Sequence, residues 1–234
     1  MLTLAIETTA KVPSCALMND MDILSFFVCN NGNTHTENIL PMIDDMLKKC
    51  KKSISDVELF CASNGPGSFT GVRIGASVIK GLAFGKNIPC VEVSALEALA
   101  YNLYPLNGII CPVMDARRGQ LYNAVFRCEN GNISRLTPDR AISAKDLSDE
   151  LYAMNSENIY LVGDGYAVAK EAMYERKLPI LEIPPTLIHE SAVSVAIVGY
   201  KKYLRGEYTN DIDFSPSYLR MSQAERERIE KEKE

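Results

Sequence analysis

Gly65-Pro66-Gly67-Ser68-Phe69-Thr70-Gly71-Val72-Arg73-Ile74-Gly75 decides how this chain is read. An apolar run, Val57-Glu58-Leu59-Phe60-Cys61-Ala62, leads into it and predicts a buried strand. A long segment of apolar and small residues, Val72 to Phe84, leads out and predicts a helix. Strand, glycine-rich turn and helix start leave backbone N–H groups pointing outward at the positive end of a helix dipole. That arrangement suits an anion or a close backbone contact. The glycines on either side of Pro66 permit a turn that larger side chains would block. The stretch is not a P-loop, because no Lys-Ser or Lys-Thr pair follows the last glycine. It narrowly misses the dinucleotide fingerprint. Gly65 and Gly67 fit and Glu92 sits at a plausible distance for a ribose contact, but position 70 is Thr. A ligand-free strand-to-helix connection stands beside the anion-binding reading.

Upstream, Leu2–Glu7 predicts a first strand ending in Glu7-Thr8-Thr9, and 13–18 and 22–29 predict two more around the Asn19-Asp20-Met21-Asp22 turn. Thr34-His35-Thr36-Glu37 has the form of a capping box. Ile39, Leu40, Ile43, Met46 and Leu47 follow at helical spacing as far as about Lys49. Downstream, the helix of 71–85 is apolar nearly all round, with Arg73 and Lys80 its only charges. Such a helix is central to the fold or covered by a partner. Gly71, Gly75 and Ala76 would let another helix come close.

Composition sets the bounds. The chain has 234 residues, which permits one large domain or two small ones. Its net charge of −5 argues against gripping nucleic acid alone, because phosphate neutralisation needs a basic surface. Met1-Leu2-Thr3 enters an apolar strand without a basic leader, and no apolar run reaches membrane-spanning length, so a cytoplasmic protein is expected. The seven cysteines form no Cys-x-x-Cys pair and read as buried free thiols.

The second half starts again in the same way. Ile88–Val93 predicts a parallel strand and Ser94-Ala95-Leu96-Glu97 a second capping box, and Tyr104-Pro105-Leu106-Asn107-Gly108 marks a boundary. Ile109–Asp115, the turn Ala116-Arg117-Arg118-Gly119 and Gln120–Cys128 predict a hairpin of two strands, with a third near 133–136. Helices are expected from Ser143 to about Met154, over 166–176 and from His189 to Leu204. Strands are expected over Asn158–Val162 and Ile180–Ile183. Ser222–Glu234 alternates charge and predicts a solvated helix. Two related α/β halves follow from this order.

The chemistry-bearing residues are few. His35 and His189 are the only histidines, neither lies beside a nucleophile motif, and position 39, one turn after His35, is Ile39. Glu7, Asp115 and Asp164 are carboxylates at predicted strand ends, where α/β clefts form. Asp115 with Arg117 and Arg118 reads equally as a self-paired turn, and Gly163-Asp164-Gly165 is as open.

Several segments together resemble the TsaB (YeaZ) family of tRNA threonylcarbamoyladenosine synthesis. These are the glycine stretch, Leu4-Ala5-Ile6-Glu7-Thr8-Thr9, His35-Thr36-Glu37-Asn38-Ile39-Leu40-Pro41, Asp115-Ala116-Arg117-Arg118-Gly119-Gln120-Leu121-Tyr122 and Pro216-Ser217-Tyr218-Leu219-Arg220. They span residues 2–220 in order, although Glu7 stands where that family usually has Asp. The resemblance implies an actin-like, Hsp70-like fold of two ribonuclease-H-type halves, here 1–103 and 104–221, with 222–234 as a tail. It implies a non-catalytic subunit supporting the paralogue TsaD, which transfers threonylcarbamoyl from its adenylate to N6 of adenosine 37 in ANN-decoding tRNAs. TsaD carries a His-x-x-x-His metal motif; here His35 is followed by Ile39, so no metal is expected in this chain. ATP is expected at a third protein, TsaE, and tRNA only through the complex.

The family's helices matching 34–50 and 71–85 dimerise with TsaD or with a second copy. This implies an interface of His35, Ile39, Leu40, Ile43, Met46, Leu47, Val72, Gly75, Ala76, Ile79, Leu82 and Ala83. The cleft turns would be Glu7, Thr8, Thr9, Gly65, Gly67, Ser68, Asp115, Gly163 and Asp164. Two other readings stand beside this one: an actin-like nucleotide-binding ATPase and a glycoprotease-like peptidase.

Overall fold

The computed structural model describes residues 1–32 and 34–220; the helix expected over Ser222–Glu234 lies outside the described residues. Three strands, β1 (Leu2–Glu7), β2 (Ser14–Asn19) and β3 (Asp22–Val28), open the chain as an antiparallel meander. Helix α1 (His35–Lys49) follows, then β4 (Leu59–Gly65), helix α2 (Phe69–Ala83) and β5 (Cys90–Ser94). β4 and β5 add in parallel beside β1, giving the order β3-β2-β1-β4-β5. α1 forms where local chemistry predicts, while β4 starts at Leu59 rather than Val57 and runs on to Gly65, past the expected end at Ala62. Thr34 and Glu37 make the reciprocal capping box, and Lys48 and Lys49 end α1 at the negative pole of its dipole.

After α3 (Ala95–Tyr101), the second sheet assembles around β6 (Gly108–Asp115). Its order is β10-β7-β6-β11-β12, with β8 and β9 branching from β6, where β7 is Gln120–Asn123, β8 Phe126–Glu129, β9 Asn132–Arg135, β10 Arg140–Ser143, β11 Ile159–Val162 and β12 Ile180–Leu181. The helices are α4 (Ala144–Ala153), α5 (Tyr166–Glu175) and α6 (Ala192–Leu204).

The strand expected over Gln120–Cys128 is broken in two at Ala124-Val125. The cause lies opposite, in β6. Pro112 has no N–H to offer the ladder, and the Asn123 side chain donates instead to the Pro112 carbonyl at 2.9 Å. β10 is an addition that sequence patterning did not predict. Ser94 caps α3 through the Glu97 N–H, but the expected return bond is diverted. The Glu97 carboxylate pairs with Arg135, and the Ser94 hydroxyl donates to Asp139.

Four layers of side chains fill the space. Leu4 and Ile6 of β1 face α1 and α2, while Ala5 faces α6. α3 and α6 lie between the two sheets, and α4 and α5 cover the outer face of the second. So α6, from the second half of the chain, packs on the first sheet. None of the seven cysteines is in a disulfide: Cys15, Cys61, Cys90, Cys111 and Cys128 are buried, and Cys29 and Cys50 half-buried. No helix among the described residues is long and apolar enough to cross a membrane.

Candidate functional site

The glycine stretch builds one wall of a cleft between the halves. α2 starts two residues earlier than its apolar pattern predicts, because Ser68 caps it by accepting the Gly71 N–H at 3.2 Å. The turn then packs straight onto Glu7-Thr8-Thr9. Ser68 N–H donates to the Thr9 carbonyl at 2.8 Å, and the Thr8 hydroxyl to the Gly71 carbonyl at 2.8 Å. Gly71 is required here, since a Cβ on it would overlap the Thr8 carbonyl oxygen.

Glu7 is wholly buried. Its Oε1 accepts both the Thr9 N–H (2.5 Å) and the Thr9 hydroxyl (2.6 Å), and its Oε2 accepts the Ser63 hydroxyl. Burial pushes the carboxyl above its ordinary pKa, against these bonds. A turn of the kind that could hold an external phosphate is therefore filled by the chain's own carboxylate. Glu190, just ahead of α6, is the residue that sequence reasoning missed. It is 9 % exposed, its Oε1 has no partner among the described residues, and burial, with Glu7 nearby, pushes its carboxyl up to about 8. Nothing in its sequence context, an acid before a helix start, separates it from an ordinary surface position.

The other wall comes from the second half. Asp115 ends β6 and accepts the Arg117 N–H at 2.7 Å, and its own N–H is held by Asp164 Oδ1 at 3.0 Å. Burial raises the Asp164 carboxyl. Gly163, in the positive-φ region, lets β11 turn tightly against the Val113 carbonyl. The cleft encloses about 680 Å³, with Thr9, Gly67, Ser68, Asp115 and Asp164 on its walls and Lys11, Arg117 and Arg220 among its cations. His35 lines it too. Its Nε2 is 2.7 Å from the Ala10 carbonyl, so it belongs to the cleft rather than to the helix face assigned from sequence. Glu7, Thr8 and Gly65 are buried behind the walls, and Gly163 behind Asp164.

The proposed helix interface needs correction residue by residue. Ile39, Ile43, Met46, Leu47, Val72, Gly75, Ala76, Ile79 and Ala83 are buried inside the chain itself. All of these but Val72 and Gly75 pack with Leu4 and Ile6 of the first sheet in one core cluster. Helical periodicity identifies an apolar stripe, but one stripe cannot face both the sheet and a partner. Leu40 at 49 % exposure and the half-buried Leu82 remain of the assigned set, with Ile74, Val78 and Phe84 beside them.

Comparison with known proteins accords with this geometry. Residues 31–228 match the family model of "TsaD: tRNA N6-adenosine threonylcarbamoyltransferase". The chain is 30% identical over 234 residues to the tRNA threonylcarbamoyladenosine biosynthesis protein TsaB of Bacillus subtilis (strain 168), with all of both chains covered. The chain belongs to the TsaB family. Its role is in tRNA threonylcarbamoyladenosine biosynthesis. The TsaB of Escherichia coli (strain K12) is 34% identical over 169 residues, 71% of this chain and 72% of that one. A Pseudomonas aeruginosa structure described as similar to peptidase YEAZ superposes with a TM-score of 0.79 at 26% identity, covering 94% of this chain and 99% of that one. A ROK hexokinase from Thermus thermophilus shares the fold at a TM-score of 0.50 and 11% identity, covering 88% of this chain and all of that one. The fold is thus the actin-like one of two related halves.

Proposed function

We propose that this chain is a non-catalytic subunit that supports TsaD. TsaD transfers threonylcarbamoyl from its adenylate to N6 of adenosine 37 in ANN-decoding tRNAs. The observation that carries this reading is the filled turn: Glu7 takes up the amide and hydroxyl donors of Thr9 that an external phosphate would need. A second support lies in α1. Where TsaD has its second metal-binding histidine this chain has Ile39, which is 1% exposed in the core, and the His35 ring is engaged by Ala10. In this reading the chain carries no cofactor, the metal belongs to TsaD, and ATP to TsaE. tRNA meets the complex rather than this acidic chain. The partner surface is the outer side of α1 and α2, where Leu40, Ile74, Val78, Leu82 and Phe84 remain accessible, with TsaD or a second copy as occupant.

Co-purification with TsaD and reconstituted tRNA modification test it. Leu40→Glu and Phe84→Glu should weaken capture of TsaD at least tenfold, because a charge would be buried unpaired in the interface. His35→Ala should leave the modification rate within about twofold, since a general acid or base is worth about a hundredfold or more. Loss of transfer in a His35→Ala complex that still assembles would sink the non-catalytic reading. Thermal stabilisation of the isolated chain by ATP and magnesium would favour the actin-like ATPase reading instead.

A further inference from the structure

The last described segment crosses the molecule instead of ending on one half. Thr209 pairs with Cys90 at the edge of the first sheet. Lys80 of α2 donates to the carbonyls of Ile212 and Phe214 at 2.7 and 2.8 Å. Ser215 N–H then meets Glu92 Oε1 at 2.6 Å. Beyond it the chain is clamped on the glycine turn. Ser217 N–H donates to the Asn64 carbonyl at 2.7 Å, and a Cβ on Gly65 would overlap the Ser217 carbonyl oxygen. The Tyr218 ring stacks on Phe69 with centroids 4.5 Å apart. Arg73 lies over the Phe69 ring at 4.0 Å and donates Nε to the Tyr218 hydroxyl at 3.0 Å.

The tip differs from this root. Arg220 reaches across the cleft and donates Nη1 to the Ala116 carbonyl at 2.9 Å. Among the described residues, that is the hydrogen bond joining this segment to the second half. Its acceptor opens a turn in which Arg117, Arg118 and Gly119 all take positive φ, a conformation that arginine seldom adopts unless held there.

We infer that Ser215–Arg220 is a latch: its root is fixed to the first half, and its tip holds the cleft closed by restraining the Ala116–Gly119 turn. A many-contact root and a one-bond tip divide the segment into a fixed arm and a releasable end. Arg220 and Arg117 both line the cleft cavity, so releasing the tip changes both its width and its charge.

The test is hydrogen exchange by mass spectrometry, with limited trypsin cleavage after Arg117 and Arg118, on the full chain. Arg220→Met keeps the aliphatic stem and removes the donor. The expected result is exchange over 113–119 faster by on the order of tenfold, with strands β1 and β2 unchanged. Arg220→Lys, which keeps a cationic donor, should recover part of the protection. Tyr218→Ala should loosen both the 64–69 region and the 113–119 turn. Exchange and cleavage at 113–119 within twofold of the parent in Arg220→Met would overturn the latch. So would a uniform acceleration across both sheets, which would make the segment a structural brace.

Discussion

Glu7 and Asp115 hold the same place in the two halves. Each ends a strand flanked by an antiparallel neighbour on one side and a parallel strand on the other. Their surroundings part at the next residue. Thr8-Thr9 folds inward against the start of α2 and supplies Glu7 with donors, while Ala116-Arg117-Arg118-Gly119 turns out to solvent and leaves Asp115 exposed. A strand-end carboxylate is therefore not a function in itself. The next few residues of the chain decide whether it becomes an internal keystone or a solvated group.

The comparison can be pressed first with a carboxylate placed where nothing can accept it. Ile79→Glu puts a charge in the fully buried core of the first half, so loss of the folded state, roughly 4 kcal/mol or more, is expected by urea unfolding. A folded Ile79→Glu chain would mean that this side of α2 is accessible after all. Next, Glu7→Ala leaves the Thr9 N–H, the Thr9 hydroxyl and the Ser63 hydroxyl without their acceptor in a buried site, at a cost of about 2–4 kcal/mol by the same assay.

Glu190→Gln should act in the opposite direction and depend on pH. The folded carboxyl is raised to about 8 from 4.5, so between those values the folded state binds more protons than the unfolded one. Its contribution is fully present below about pH 4.5 and is lost as pH rises through about 8. The Gln variant should therefore be more stable than the parent by roughly 2–4 kcal/mol at pH 8.5 and nearly equal to it at pH 4.5. Parallel pH profiles for the two chains would mean that Glu190 is hydrated. The smallest effect belongs to Asp115→Ala, an exposed residue with one local bond, at under about 1 kcal/mol. Equal costs at Glu7 and Asp115 would break the comparison.

The same contrast explains what sequence could and could not deliver. Elements governed by neighbours in the chain were legible: the capped α1, the meander of β1 to β3, and the strand, glycine turn and helix at 59–83. Long-range effects were not. Pro112 splits the strand opposite it, β10 has no pattern of its own, and Arg135 draws Glu97 away from its cap. The cleft was half visible. Glycines and strand-end acids can be counted in a sequence, but the burial of Glu7 and the approach of Glu190 depend on how α6 returns to the first sheet. Most residues assigned to the interface are buried in the chain itself for a related reason. An apolar stripe shows that a helix is covered, not by what.

The buried thiols give the fold a chemical signature. Burial pushes Cys15, Cys90 and Cys111 up to about 12 and raises Cys61 and Cys128 as well, so the reactive thiolate is suppressed at five of seven positions. The native chain should thus offer an alkylating reagent at most Cys29 and Cys50, and the unfolded chain all seven. Labelling would then count folded molecules directly, with the protein serving as its own reporter.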